Sequence, residues 1–221
     1  LEAIRIEQDV IGESVGSQDQ VNAAYGGFNR IRFKTDGQID IIPSSISDKR
    51  KRQLSDNLML FYTGIGRTAD TISASYAHNT ESKSQPLNKL LDIVERAIEI
   101  VEGEESLEQF GYLLHESWIE KKQLSAAVTN SQVDLIYDKA LNAGALGGKL
   151  CGAGGGGMIL FYVAPENQES VRDALSSFLH IPFNFSNQGS KIIFSERQQE
   201  YEEDKYVRSN KVLPFVELTE I

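Results

Sequence analysis

The sequence predicts an α+β fold built on a mostly antiparallel sheet, and three observations carry that prediction. Apolar runs of strand length at residues 58–62 and 158–163 are interleaved with amphipathic stretches of helical length. Short strand pairs stand at both ends, residues 28–34 with 38–42 and residues 183–185 with 191–194. Between the helices and the last strands lies Gly147-Gly148-Lys149-Leu150-Cys151-Gly152-Ala153-Gly154-Gly155-Gly156-Gly157, followed at once by Met158-Ile159-Leu160-Phe161-Tyr162. So dense a run of glycine is costly to order, which favours a structured loop where backbone passes close to something or takes positive φ repeatedly. Backbone N–H groups freed of side chains form a concave anion site, so the loop is expected to face a phosphate.

Taken in order, residues 1–11 place Leu1, Ile4 and Ile11 against Glu2, Arg5, Glu7, Gln8 and Asp9, a helical pattern stopped at Gly12. Ser17 suits the N-cap of a second helix over residues 18–25, ended by Gly26-Gly27. Residues 28–34 alternate as a strand, Asp36-Gly37 makes a hairpin turn, and residues 38–42 return. Residues 43–56 are polar, with Lys49-Arg50-Lys51-Arg52 in a solvated stretch, and read as a connector. The buried strand 58–62 runs into Thr63-Gly64-Ile65-Gly66-Arg67 and a helix from about Ala69. Residues 86–101 form an amphipathic helix with Leu87, Leu90, Leu91, Val94, Ile98 and Val101 on its inner face. A second helix spans residues 106–124 with Leu107, Phe110, Leu114 and Trp118 inward, and Val133, Ile136, Tyr137 and Ala140 mark a third. Beyond strand 158–163, Pro165 opens a helix carrying Val171, Ala174, Leu175 and Phe178. Residues 195–221 are a charged tail with no evident role.

With 221 residues, 40% hydrophobic and 24% charged, the chain has the make-up of a globular protein with a sizeable core. It has neither an apolar run of membrane-spanning length nor a signal-like opening, so no membrane partner is expected. The single cysteine, Cys151, excludes an internal disulfide and makes the cytoplasm the natural compartment. A net charge of -10 argues against a nucleic-acid partner, so an anionic ligand would need a metal, backbone amides or a few placed cations. His78, His115 and His180 are scattered and suggest no metal site. The chain opens at Leu1 inside a helical pattern, which suggests a piece of a longer protein whose N-terminal part lies upstream.

Glu7, Asp19 in the first turn of a helix, and the glycine loop are the candidates for chemistry. A carboxylate at a helix start can accept a proton or orient a ligand hydroxyl, although its default role is a cap, and Glu7 by default is a solvated helix residue. Phosphoryl transfer needs little more than such a carboxylate, a metal ion and donors around the moving group.

Glu7 spaced five residues before Gly12, then Val15-Gly16-Ser17-Gln18-Asp19-Gln20 and Tyr25-Gly26-Gly27-Phe28-Asn29, resemble the middle segment of the GHMP-superfamily small-molecule kinases, and Lys149 to Gly157 resembles their C-terminal glycine motif. Within the superfamily, Phe61-Tyr62-Thr63-Gly64-Ile65-Gly66-Arg67 and Trp118-Ile119-Glu120-Lys121-Lys122 are most similar to the D-glycero-D-manno-heptose 7-phosphate kinases. The resemblance implies the end of a ribosomal-protein-S5-like lobe (1–43), a connector (44–57) and a ferredoxin-like GHMP C-terminal domain (58–194), followed by the tail 195–221. It implies transfer of a phosphoryl group from ATP, with Mg2+, to a hydroxyl of a sugar phosphate, the anomeric one in the heptose case. Asp19 matches the catalytic Asp and Glu7 the Mg2+-coordinating Glu. Gly16, Ser17, Tyr25, Arg67, Lys121, Lys149, Gly152, Ala153, Gly154 and Gly155 are the expected substrate-binding residues, and Asp19 is expected to meet the loop in space. The family's Gly-Leu-Gly-Ser-Ser-Ala type phosphate loop has no counterpart here, so further partners are the upstream segment or a second copy. A fucose- or hexose-type kinase, or a non-catalytic module that binds sugar phosphate, remain alternatives.

Overall fold

The computed structural model describes residues 2–13, 16–66 and 83–194. Helix α1 (Glu2–Arg5) passes directly into a π-helical turn (Ile6–Ile11), closed by Gly12 at φ 81°. The widened turn brings two donors, the N–H groups of Gly12 and Glu13, onto the Glu7 carbonyl. Helix α2 (Gln18–Tyr25) and a hairpin of β1 (Asn29–Phe33) and β2 (Ile39–Pro43) follow, as the sequence predicts. Gly37 at φ 83° and a bond from Gln38 N–H to Asp36 Oδ1, 3.0 Å, make the hairpin turn. Ser17 precedes α2 without capping it; its hydroxyl accepts from Gln8 Nε2 at 3.3 Å instead.

The stretch expected to be a connector is instead largely helical. Helix α3 (Asp48–Asp56) starts where Ser47 Oγ accepts from Arg50 N–H at 3.2 Å, and it buries Leu54 completely. Arg50, read as part of a solvated basic run, points its guanidinium at the carbonyls of Val101 (3.0 Å), Ile100 (2.5 Å) and Glu105 (2.6 Å). One buried leucine and one arginine thus tie residues 48–56 to the domain that follows.

The main sheet comprises β3 (Leu58–Tyr62), β4 (Ala145–Leu150), β5 (Met158–Val163) and β6 (Leu179–Ile181), in the spatial order β4-β5-β3-β6 with every pair antiparallel. Helices α4 (Ser84–Glu102), α5 (Glu108–Lys122) and α6 (Ser131–Asn142) lie between its first and second strands in the chain, and α7 (Gln168–Ala174) between its third and fourth. This is the β-α-β-β-α-β succession of a ferredoxin-like domain, with extra helices in the first crossover. Strand alternation divides the core in two. Met59, Phe61, Ile159, Phe161 and Val163 pack with Trp118, Ile136, Tyr137, Val171 and Leu175. Leu58, Leu160 and Tyr162 face a second cluster with Leu54, Ile93, Ile100, Leu113 and Leu114. A sheet covered on both faces needs strands apolar at every position, which is why residues 58–62 and 158–163 read as continuous apolar runs.

Three further expectations change. Helix α4 turns Pro86, Ile93, Ile100 and Val101 inward and leaves Leu87, Leu91 and Val94 exposed, because it carries apolar residues on more than one face and packing selects among them. The glycine stretch is not one loop: Gly147, Gly148 and Lys149 belong to β4. Helix α5 crosses this strand so closely that a Cβ on Gly147 would lie 2.2 Å from the Gly111 carbonyl oxygen. The strands expected at 183–185 and 191–194 do not form; β6 lies earlier, and residues 186–190 run against the end of α2 through Gly27 N–H to Ser186 O and Ser190 N–H to Ala23 O, both 2.9 Å. Residues 1–190 form one compact unit and residues 191–221 a second, of which Ile192, Ile193 and Phe194 are exposed. Arg67, His78 and the helix expected from Ala69 lie outside the described residues.

Gly147→Ala is therefore expected to destabilise the chain by about 3 kcal/mol or more, because backbone must yield. Gly152→Ala, at φ 71° with open space around it, should cost only about 1–2 kcal/mol of left-handed strain. Urea denaturation of both variants checks the ordering.

Candidate functional site

The end of β4 delivers Lys149 and Cys151 to the mouth of the glycine loop, and the last turn of α5 delivers Lys121 to the same place. Lys121 Nζ donates to the Gly152 carbonyl at 2.5 Å and to the Leu150 carbonyl at 3.4 Å. Its neighbour Lys122 is turned elsewhere, 5.8 Å over the Trp118 ring and 3.6 Å from Asp134 Oδ1. Adjacent residues on a helix point in different directions, and here Lys121 is the one turned to the loop. Glu120 is buried and bonded through Oε1 to Lys89 Nζ at 2.7 Å.

Past Cys151 the loop divides by function. Gly154 and Gly156 are buried where a Cβ would meet Val128 O at 2.9 Å and Ile65 O at 2.7 Å respectively. Gly155 N–H donates to Val128 O at 2.6 Å, and Gly155 O accepts from Asn130 Nδ2 at 2.8 Å. Gly157 N–H donates to Ile65 O at 3.0 Å, and its carbonyl accepts both the N–H and the hydroxyl of Thr63, each at 2.9 Å. Most of the glycines thus let the loop be clasped between two neighbouring segments. The amide of Gly155, expected at the substrate, is taken by Val128. The N–H groups of Gly152, Ala153 and Gly154 bond no acceptor among the described residues, and Gly152 has open space around it.

The charges around this mouth are uneven. Burial pulls the Lys121 ammonium down to about 8, helped by repulsion from Lys149. Burial also lowers Lys149. The Cys151 thiol reaches solvent, yet the packed loop around it pushes it up, Lys149 and Lys121 oppose that, and Asp19 adds to it. Asp19 therefore stands within electrostatic reach of Cys151. Among the described residues, neither Lys149 nor Asp19 has a hydrogen-bond or ion-pair partner.

Glu7 lies in the π-helical turn and accepts from Gln20 Nε2, which ties α1 to α2 beside Asp19. The Gln20 Oε1 atom is buried without a donor, and no described donor reaches Glu7 Oε1. A carboxylate oxygen and an amide oxygen are hard donors of the kind that suits Mg2+, which takes one or two protein oxygens and completes its octahedron with water and phosphate. Among the described residues no group of three acidic, His or Cys side chains could hold a metal alone. Gly16 is exposed with no neighbour, and Ser17 is occupied with Gln8. Tyr25 is 60% exposed and lines a cavity of about 430 Å3 with Ile4, Val21 and the hairpin residues Gly37 to Ile41. Val21 and Asp19 point to opposite sides of α2, so that cavity and the lysine cluster occupy different faces. Asn130 and Thr63, which hold the loop, were missed by sequence reasoning. For Asn130 the available signal was its cap position before α6, where Oδ1 accepts from Gln132 and Val133 N–H at 3.1 and 3.0 Å.

Residues 93–181 match the family model of the GHMP kinase C-terminal domain. The chain is 29% identical over 194 residues to the D-glycero-alpha-D-manno-heptose 7-phosphate kinase of Campylobacter jejuni, covering 86% of this chain and 57% of that protein. It is 35% identical over 123 residues to the L-fucokinase/L-fucose-1-P guanylyltransferase of Bacteroides fragilis, covering 54% of this chain and 13% of that protein. Its fold is similar to a crystal structure of a D-glycero-D-manno-heptose 1-phosphate kinase from Bacteroides thetaiotaomicron, with a TM-score of 0.61, 25% identity, and 87% of this chain against 54% of that one. The chain thus spans a little over half the length of the heptose-phosphate kinases it matches.

The lowered lysines make a signed prediction. Between pH 8 and 10 the unfolded Lys121 holds a proton that the folded one has released, so the unfolded state binds more protons and stability rises with pH. Wild type should gain stability relative to Lys121→Met across that window, measured by urea denaturation at each pH.

Proposed function

Because the chain carries a GHMP-kinase C-terminal domain, we propose that its protein is an ATP-dependent sugar kinase that phosphorylates a hydroxyl of a sugar phosphate, with heptose 7-phosphate phosphorylated at the anomeric position. The observation that carries the reading is an unpaired carboxylate, Asp19, within electrostatic reach of Cys151, where two partly desolvated lysines and three unpaired amides share the mouth of one loop. Cations and amides at such a mouth bind an anion that the acceptor already carries, and the carboxylate opposite orients or deprotonates its hydroxyl. Asp19 suits that role through its place in the first turn of α2, where the helix holds it and no cation neutralises it.

Glu7 and Gln20 are the oxygens that would hold Mg2+ with the nucleotide. When bound, the ion neutralises charge on the phosphates. This chain's own residues then position: the clasped half of the loop gives rigidity, its open half presents donors, and the lysines raise the local concentration of an anion despite the net charge of -10. The nucleotide cradle is proposed to come from the part of the kinase outside these 221 residues. The division 1–43, 44–57 and 58–194 is kept as a functional one, with Glu7 and Asp19 from the first part facing the loop of the last; residues 195–221 receive no role.

In a steady-state assay of the full-length kinase with heptose 7-phosphate, ATP and Mg2+, Asp19→Asn is expected to lower kcat by about 10²–10⁴-fold with little change in KM. An Asp19→Asn enzyme of normal kcat would remove that role. Turnover of fucose in preference to heptose 7-phosphate would transfer the reading to a fucose-type acceptor, which the second relative's name favours.

A further inference from the structure

Two lysines share the mouth of the loop, and their surroundings differ. The Lys121 ammonium is already engaged, with the carbonyls of Leu150, the last residue of β4, and Gly152, two residues on, as acceptors. Lys149 has no such partner and projects from the end of β4. The peptide after the Leu150 carbonyl leads into Cys151, and the one after the Gly152 carbonyl leads into Ala153. A donor that draws both carbonyls toward α5 turns the following N–H groups away from the helix, since each peptide plane is rigid. Of these, Cys151 N–H is already paired with Met158 O, and Ala153 N–H lies in the middle of the open series Gly152, Ala153 and Gly154. At its far end the series is fastened by Gly155 to Val128 and Asn130. At its near end Cys151 N–H is held by Met158 O at 2.8 Å, and Lys121 holds the carbonyls on either side of that residue, those of Leu150 and Gly152.

We propose that Lys121 is a positioning residue that pins the Leu150 and Gly152 carbonyls and so aims the Ala153 amide at the centre of the open Gly152–Gly154 series, while Lys149 is the cation that meets the anionic group of the ligand. The assignment rests on reading this mouth as a phosphate-holding site. Cys151 at this mouth feels the charges of Lys149, Lys121 and, more weakly, Asp19 on α2. The local concentration of positive charge favours a phosphate monoester over a neutral sugar, and the division of labour makes Lys149 the charge reader and Lys121 the shaper of the amides.

The test is nuclear magnetic resonance on the nitrogen-15-labelled chain, reading the amide signals of Gly152, Ala153 and Gly154 first without ligand and then on titration with inorganic phosphate. Lys121→Met and Lys121→Gln, the latter one atom shorter and uncharged, should displace the ligand-free signals and weaken phosphate binding about tenfold, the equivalent of losing a charge-assisted hydrogen bond. Lys121→Arg should return the signals toward their wild-type positions. Lys149→Met should leave the ligand-free signals in place and abolish their response to phosphate. Ligand-free signals that stay put in folded Lys121→Gln overturn the positioning role, whether phosphate still binds or not. If Lys121→Met does not fold, Lys121→Gln carries the same decision. A wild-type chain whose three amides ignore phosphate overturns both this assignment and the phosphate-holding reading, whereas unmoved ligand-free signals count against Lys121 alone.

Discussion

The site depends on a direct contact between two backbones, that of α5 at Gly111 and that of β4 at Gly147. A methyl group at Gly147 would overlap the Gly111 carbonyl, and one at Gly111 would meet the Tyr162 ring at 2.9 Å. With neither present, the helix lies directly on the strand, and both then travel the same way. From Gly111 to Lys121 the helix advances ten residues, about 15 Å at its ordinary rise. From Gly147 to Gly152 the chain advances five residues, about 16 Å if extended. The two paths are equal in length, so a contact set at Gly111 brings Lys121 to Gly152 with no adjustment elsewhere. A pair of glycines at one end of an element therefore determines the geometry of a cation at the other.

The glycine loop gains its order from the same economy of backbone. Flexible glycine would cost more entropy than any other residue on folding, and the loop offsets that cost with specific bonds at Gly155 and Gly157 and with close packing of Gly154 on Val128 and Gly156 on Ile65. What is left open is short and lies beside the lysines. Rigidity on one side and vacancy on the other are what a site needs to hold an anion without reorganising.

Electrostatics at this mouth run against the chain as a whole. The protein is strongly acidic, yet no acidic side chain among the described residues pairs with Lys149, and Asp19, whose charge reaches Cys151, is itself unpaired among them. Burial makes the two ammonium groups costly when the site is empty, and an anionic ligand removes that cost. Affinity and stability are thereby linked through the same two side chains.

Element types were largely legible in the sequence because they depend on periodicity: β3 and β5 from their unbroken apolar runs, α6 from Val133, Ile136, Tyr137 and Ala140, the first hairpin from Asp36-Gly37. Glu7, Asp19, Lys121, Lys149 and the loop were singled out as candidates because they fall on motifs that resemble a known family. Face and partner were not legible. Helix α4 has apolar residues enough for two inner faces, so Ile93 and Ile100 could displace Leu87 and Leu91 only through packing against Leu54 and Leu113. Arg50 read as one more solvated base because its acceptors, Ile100 and Val101, lie half a hundred residues away in the chain. A glycine in sequence shows only that a side chain is missing. Whether the reason is a helix pressed on a strand, as at Gly147, a clasp, as at Gly154, or an opening, as at Gly152, depends on distant backbone, and only the tertiary structure brings that backbone near.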